Sequence, residues 1–284
     1  MNELISLYRH LQSDTDLSLP KTKTTLTIPH YPTLPTTLSP RKTHEISQMV
    51  GYITDLHNLY QFDFLIDVGS GGAHLSRALN MRLRVPIVCV EEDMRRVCIA
   101  RRMDRMIGVI DLFYVRELNS VYGEEVQKFI GARKKSNCGI ARGFVIGLDV
   151  CGDLGTEIVE FIKTGHSPID IIGCCFVACC FHKCTRLLTI DDYDAYDVLS
   201  GLTKCSDQDI RALTEDEIMQ KYQIEAQDES IEQWRLEKGP LSSILESIVH
   251  QDRMDALQGY NVSKDIMFDY TMSSRNVSIT AIRR

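Results

Sequence analysis

Two rhythms of apolar residues alternate along this chain. Short, mostly apolar runs occur at Phe64 to Val68, Pro86 to Val90, Val109 to Val115, Phe144 to Leu148 and Ile169 to Gly173, three of them interrupted by a single aspartate (Asp67, Asp111 and Asp170). These predict buried strands, five in number. Between them, apolar residues return every three or four positions. Ile46, Met49, Val50, Ile53 and Leu56 mark one helix, begun by Ser39 as cap and Pro40 at the first helical position. That helix is expected over the ligand end of the sheet. Leu75 to Leu79 predicts a second helix, and Asp93 to Met106 a third, with Val97, Ala100, Met103 and Ile107 on one side. Val121 to Ile130 and the stretch up to Lys163 predict two more, with a basic loop from Lys134 to Arg142. Strands alternating with helices predict an α/β fold with a mostly parallel sheet covered on both faces.

The ends of the chain read differently. Met1 to Gln12 predicts a short helix, and Leu17 to Leu38, rich in Thr, holds four of the eight prolines, so residues 1–38 are expected as an arm. Asp191 to Gln258 lacks a strand pattern and predicts a helical insertion, with helices at Asp207 to Leu213, Glu215 to Gln223, Ile231 to Glu237 and Leu241 to Val249. Lys264 to Met272 and Asn276 to Ile282 flank Ser273-Ser274-Arg275 and predict a C-terminal antiparallel hairpin. Residues 39–284 are thus one domain carrying an insertion at about 191–258.

Composition narrows the classes. With 284 residues, 44% hydrophobic and 25% charged, the chain has the make-up of a globular protein with a sizeable core. Met1 to Leu19 carries acids and does not read as a signal peptide, and no stretch reaches the roughly 18 apolar residues of a membrane span. No membrane partner is expected. Ten cysteines without a secretion signal point to thiols in a reducing, cytoplasmic setting. A net charge of −7 gives no global footprint for nucleic acid. The basic clusters Arg41-Lys42, Arg95-Arg96 with Arg101, Arg102 and Arg105, Arg133 to Lys135 and Arg283-Arg284 read as solvated faces.

Candidate chemistry collects at the strand ends. Gly69, Ser70, Gly71 and Gly72 follow the first strand and precede His74 and a helix. Glycines let a ligand approach backbone closely, and the helix start offers unpaired N–H groups. The spacing is Gly-Ser-Gly-Gly, not the dinucleotide Gly-x-Gly-x-x-Gly, so a plain strand-to-helix turn is the competing reading. Glu91 and Glu92 close the second strand about 20 residues on, where an acid suits ribose hydroxyls. With Asp67 ahead of the glycines, the set favours S-adenosyl-L-methionine over NAD. Asp149 and Asp153 flank Val150, Cys151 and Gly152 after the fourth strand. Asp149 is the candidate catalytic orienter or base, whereas Asp153 reads as a helix cap. Cys174, Cys175, Cys179, Cys180, His182, Cys184 and Cys205 are the densest thiol group, expected from the fifth strand's end onward. They lack Cys-x-x-Cys spacing, so they read as buried packing ahead of a zinc site or a nucleophile.

Five blocks carry a family resemblance. They are Ser39-Pro-Arg-Lys-Thr-His-Glu45, Asp67-Val-Gly-Ser-Gly-Gly-Ala-His-Leu-Ser-Arg77, Gly147-Leu-Asp-Val-Cys-Gly-Asp-Leu154, Gly173-Cys-Cys-Phe176 and Ser274-Arg-Asn-Val-Ser-Ile-Thr-Ala-Ile-Arg283. In that order the chain resembles the methyltransferase-like protein 25 family, the ribosomal RNA adenine dimethylase domain-containing type, over about residues 39–190 and 262–284. Acceptor-stem tRNA 2′-O-methyltransferases and a glutathione-transferase-like protein share parts of the pattern. The resemblance implies a Rossmann-like methyltransferase fold. It implies that Asp67 to Gly72 and Glu91 hold S-adenosylmethionine and that Cys151-Gly152-Asp153 lies beside the reactive methyl. The acceptor stays open between an RNA nucleotide and a protein side chain, since the acidic net charge weighs against RNA and the resemblance weighs for it, and the oligomeric state is left open. The family has Lys-Gly where this chain has Gly72-Ala73, and histidine where it has Asp149. An acid therefore replaces a base or donor, which keeps a non-catalytic scaffold in view beside an NAD-dependent oxidoreductase.

Overall fold

The first helix, α1 (Pro40–Tyr60), begins as the sequence predicts. The Ser39 hydroxyl accepts from the Lys42 N–H at 3.2 Å, and Pro40 fills a position whose N–H would have no helical partner. In the computed structural model, residues 38–133, 139–164, 169–189, 240–269, 271–273 and 275–284 are described. They form two compact units, residues 38–179 with 257–284, and residues 180–189 with 240–256.

The larger unit is built on β1 (Phe64–Val68), α2 (His74–Leu83), β2 (Ile87–Val90), α3 (Met94–Ile107), β3 (Leu112–Val115), α4 (Glu124–Gly131), β4 (Ala141–Cys151), α5 (Leu154–Thr164), β5 (Ile169–Cys179), β6 (Tyr260–Ile266) and β7 (Val277–Arg283). The seven strands lie in the order β3-β2-β1-β4-β5-β7-β6. The first five are parallel, and β7 runs antiparallel to both β5 and β6. This is the Rossmann-like α/β sheet with a C-terminal antiparallel hairpin that the sequence predicts. Every residue of β1 is buried, as expected where helices cover both faces. Ile46, Met49 and Ile53 of α1 and Leu75 and Leu79 of α2 share one core with Leu65, Phe144 and Ile146 of the sheet. The chain runs outward from β1 through β2 to β3, then returns to β4 on the other side. The switch point therefore lies between β1 and β4, where ligands of open α/β sheets bind.

Several boundaries differ from expectation. The fourth strand continues past Leu148 through Asp149 to Cys151, and the fifth continues past Gly173 to Cys179. Cys174 and Cys175 therefore lie inside the sheet, fully buried, and not at its end. Gly173 is a packing residue, since a Cβ there would overlap the Ala281 carbonyl of β7. The hairpin starts earlier, at Tyr260, and its connection is longer than Ser273 to Arg275. Met267 and Phe268 leave the strand to bury against the core, and the Asp269 carboxylate accepts from the Thr271 N–H at 2.9 Å to turn the chain. The segment predicted as one helix at Val121 divides into a 3₁₀ turn, Leu118–Tyr122, and α4.

The smaller unit holds a 3₁₀ turn, Phe181–Lys183, and α6 (Pro240–Asp255), which extends the helix expected at Leu241 to Val249. The Asp252 carboxylate of α6 accepts from the Leu188 and Thr189 N–H groups at 2.8 and 2.7 Å. The expected arm, apart from Leu38, and the insertion's helices between 207 and 237 lie outside the described residues. No described helix is long and apolar enough to cross a membrane.

Candidate active site

The glycine turn is tied to the second strand before any side chain is considered. Both Gly69 and Ser70 donate their N–H groups to the Val90 carbonyl at 3.0 Å. Gly69 and Gly71 have φ of +71° and +54°, left-handed values that side chains rarely adopt. A Cβ at Gly69 would sit 3.3 Å from Leu154, the first residue of α5. The turn after β1 and the loop after β4 are thus neighbours across the switch point.

Glu91, at the tip of β2, is buried and points into this turn. One carboxylate oxygen accepts from the Gly71 N–H at 2.8 Å, the other from the Asp93 N–H at 3.0 Å. Asp93 in turn caps α3 through the Arg95 N–H. Each Glu91 oxygen retains a second lone pair. Glu92 is exposed beside it. The Ser70 hydroxyl is shielded from solvent and has no hydrogen-bond partner among the described residues. Such a buried hydroxyl calls for a ligand or water to satisfy it.

Asp67 and His74 are shaped by burial. The Asp67 carboxylate is 2% exposed and accepts from the Ser76 hydroxyl at 2.5 Å. Burial pushes its pKa up to about 7, against the opposing pull of Ser76 and the Lys42 charge. The His74 ring lies against Gly72, where a Cβ would meet Nε2 at 3.0 Å. Burial, then the positive charges of Arg77 and Lys42, push His74 down to about 4, so it is neutral at pH 7.

Asp149 sits where β4 breaks its register. Leu148 pairs with Val177 and Val150 with Ala178, so Asp149 is the extra residue of a bulge. Its φ is +61°, a strained value that aspartate tolerates better than most residues. Bulges recur next to active sites because they re-aim one side chain. This one hands Asp149 Oδ2 to Lys42 Nζ of α1, 2.6 Å away. Lys42 also reaches Glu45 Oε2 at 3.2 Å. Glu45 is 1% exposed and is further held by Arg41 at 3.3 Å and the Ser273 hydroxyl at 2.9 Å. A chain of polar contacts therefore runs Ser273–Glu45–Lys42–Asp149. Beyond Asp149, Cys151 is exposed, and the Gly152 N–H donates to the Cys179 carbonyl at 3.3 Å. The Asp153 carbonyl accepts from the Glu157 N–H at 2.9 Å, as the residue before a helix should.

The structure thus brings Gly69 to Gly72 together with Glu91, and it brings Asp149 to Lys42. Sequence reasoning missed Lys42, Glu45, Ser273 and Arg77. Lys42 had a signal, since it stands in the Ser39 to Glu45 block, but it read as surface charge. Arg77 is fully buried, donating to Asp104 and to the Gly72 carbonyl, both at 2.6 Å. The thiol run is divided: Cys174, Cys175 and Cys179 are strand residues, and Cys205 lies outside the described residues.

A family model described as a methyltransferase domain matches residues 41–186. Among solved structures, the SAH-bound methyltransferase PaMTH1 of Podospora anserina aligns at 7% identity over 99% of this chain and 87% of that chain, with a TM-score of 0.43. A SAM-dependent methyltransferase of Aquifex aeolicus aligns at 10% identity over 87% and 94%, with a TM-score of 0.39. The precorrin-6y C5,15-methyltransferase of Geobacter metallireducens aligns at 14% identity over 84% and 89%, with a TM-score of 0.38. Similarities this distant bear on neither the site residues nor the substrate.

Proposed function

The chain belongs to the methyltransferase-domain family, and from that premise we propose that it is an S-adenosylmethionine-dependent methyltransferase acting on RNA or protein. The observation that carries the reading is the clamp between Glu91 and the Gly71 N–H, which fixes an acid and a glycine turn on one crevice. Four features fit the cofactor. The remaining lone pairs of Glu91 suit two ribose hydroxyls, and the unsatisfied Ser70 hydroxyl suits a polar group in the turn. A Cβ at Gly71 would meet nothing nearer than Arg96 at 3.8 Å, which leaves the turn open. Cys151 and Gly152 border the same switch point. When bound, the cofactor supplies an electrophilic methyl group on a sulfonium.

The work of the protein is then positioning. Glu91 and the turn hold the nucleoside end. Neutral His74 packs on the turn without adding charge. Asp149, fixed by Lys42, is the orienting group for the acceptor's hydrogen-bearing atom. The finer resemblance, to the methyltransferase-like protein 25 family, rests on the five sequence blocks. One departure favours a second reading. Asp149 stands where that family has histidine, and a protein that binds the cofactor without transferring its methyl would keep the turn and lose the base.

Calorimetry with S-adenosylhomocysteine tests the cofactor. Binding that Gly69→Arg abolishes is expected, whereas no binding beside clear NADH binding would sink the proposal. Labelling cell extract with tritiated cofactor, followed by RNase or protease, identifies the acceptor class by which treatment removes the label. Binding without any labelled acceptor selects the second reading.

A further inference from the structure

Cys151 and Cys179 are the last paired residues of β4 and β5, registered directly opposite each other. Neighbouring strands lie about 4.8 Å apart, inside the roughly 4.4–6.8 Å between Cα atoms that a disulfide spans. Direct register turns both side chains to the same face, and their sulfurs stand 3.0 Å apart. A disulfide bond is about 2.05 Å, so a shift of about 1 Å closes the gap. The two thiols differ in access: Cys151 is exposed and Cys179 is 2% exposed. An exposed thiol that a peroxide can reach, beside a buried one that can resolve its oxidised form, is the arrangement of redox-responsive cysteines. Among the described residues of the larger unit, Cys89 and Cys174 lack the exposed half of it. Both are fully buried, and burial pushes both thiols up.

We propose that Cys151 and Cys179 form a modification site for peroxides, closing reversibly to a disulfide. The Cys151 thiolate attacks one peroxide oxygen. The O–O bond breaks, the departing hydroxide takes up the thiol's proton as water, and Cys151 becomes a sulfenic acid. The Cys179 sulfur then attacks the Cys151 sulfur. The S–O bond breaks, and the hydroxyl leaves with the Cys179 proton as a second water. Two thiols and one peroxide thus give one disulfide and two waters, and a dithiol reductant reverses the change.

The bond would join the two strand ends that frame the Asp149 bulge. Cys151 Sγ is 3.6 Å from the Asp149 carbonyl, and Gly152 already donates to Cys179. Oxidation would stiffen the loop that carries the orienting carboxylate. The crosslink does not depend on methyl transfer, so it can be tested without a known acceptor.

The experiment uses the full-length protein, reduced, freed of reductant and exposed to equimolar hydrogen peroxide. Peptide mapping under non-reducing conditions needs tandem fragmentation, because Cys174, Cys175, Cys179 and Cys180 share one tryptic peptide. The expected result is the loss of two thiols per chain and a Cys151–Cys179 link that dithiothreitol removes. Cys179→Ser should leave Cys151 as a sulfenic acid trapped by dimedone, and Cys151→Ser should show no link at Cys179. Circular dichroism checks that both variants are folded, and the reversible Cys151–Cys179 link mapped in the parent protein stands as the test if one is not. A link from Cys151 to any other cysteine, or Cys151 unmodified while exposed Cys98 is oxidised, would overturn the proposal.

Discussion

The contact between Lys42 and Asp149 is the feature most open to test. Lys42→Met keeps the apolar stem and removes the charge. Asp149→Asn keeps the size and the tolerance for the left-handed backbone that the bulge requires. The side chains of Lys42 and Asp149 are 29% and 26% exposed, so the pair is neither a surface bridge nor a sealed one. An exposed pair contributes about 0.2–1 kcal/mol, and breaking a fully buried one costs about 3–5 kcal/mol. Glu45 loses one of its partners in Lys42→Met but keeps Arg41 and Ser273. That places the cost of Lys42→Met at about 2 kcal/mol. The share coupled to Asp149 should be about 1 kcal/mol, with the rest belonging to Glu45. Urea unfolding of the parent, both single variants and the double variant measures the coupling directly. A coupling within about 0.3 kcal/mol of zero would mean the two groups act independently, and the reasoning fails. If Lys42 positions Asp149 for chemistry, Lys42→Met should also lower kcat about tenfold or more, with KM for the cofactor nearly unchanged.

Two further perturbations follow from the packing. Arg77→Met strips the buried guanidinium that joins Asp104, the Ala100 carbonyl and the Gly72 carbonyl, so a loss of about 3–5 kcal/mol is expected in urea unfolding, with weaker S-adenosylhomocysteine binding; a loss under about 1 kcal/mol would contradict it. Gly173→Ala drives a methyl into the Ala281 carbonyl, so β7 must shift from β5, with a cost of about 1–3 kcal/mol and faster amide exchange in β7; unchanged exchange would refute the close-approach argument.

The parts legible in the sequence were those set by neighbours along the chain. Ser39 and Pro40 announce α1, and the step from an apolar run to Gly69 announces the turn. Glu91 was legible because it lies at a fixed distance past that turn. The strand ends were harder. Cysteine and glycine in Gly173 to Cys179 carry no strand signal of their own, yet burial on both faces makes them strand residues. Asp149 was chosen as a strand-end acid, but its bulge arises from pairing with β5 and leaves no local mark. The ion pair with Lys42 spans 107 positions, so no spacing rule reaches it. The hairpin turn was misjudged because Met267 and Phe268 fit a strand pattern while their burial is decided by α1 and the core.

Lys42 also links the site to pH through Asp67. The folded-state pKa of Asp67, about 7, lies above its ordinary 3.8. Between these values the unfolded chain has lost the proton and the folded one keeps it. Stability therefore falls as pH rises from about 4 to about 7 and levels off above, by an amount on the order of 4 kcal/mol for this group alone. Asp67→Asn should remove that fall, seen as a growing advantage of the variant over the parent across the same window. Burial is the largest cause of the shift, and the positive charge of Lys42 opposes it. Lys42→Met must then push Asp67 further up, and the fall in stability should extend past pH 7. In the variant carrying both Lys42→Met and Asp67→Asn the extension should vanish, because no titrating carboxyl remains at residue 67. Unfolding free energies at half-unit pH steps distinguish the outcomes. If Lys42→Met shifts every point equally and leaves the slope above neutrality unchanged, then its charge does not reach Asp67, and α1 contributes only packing to this end of the sheet.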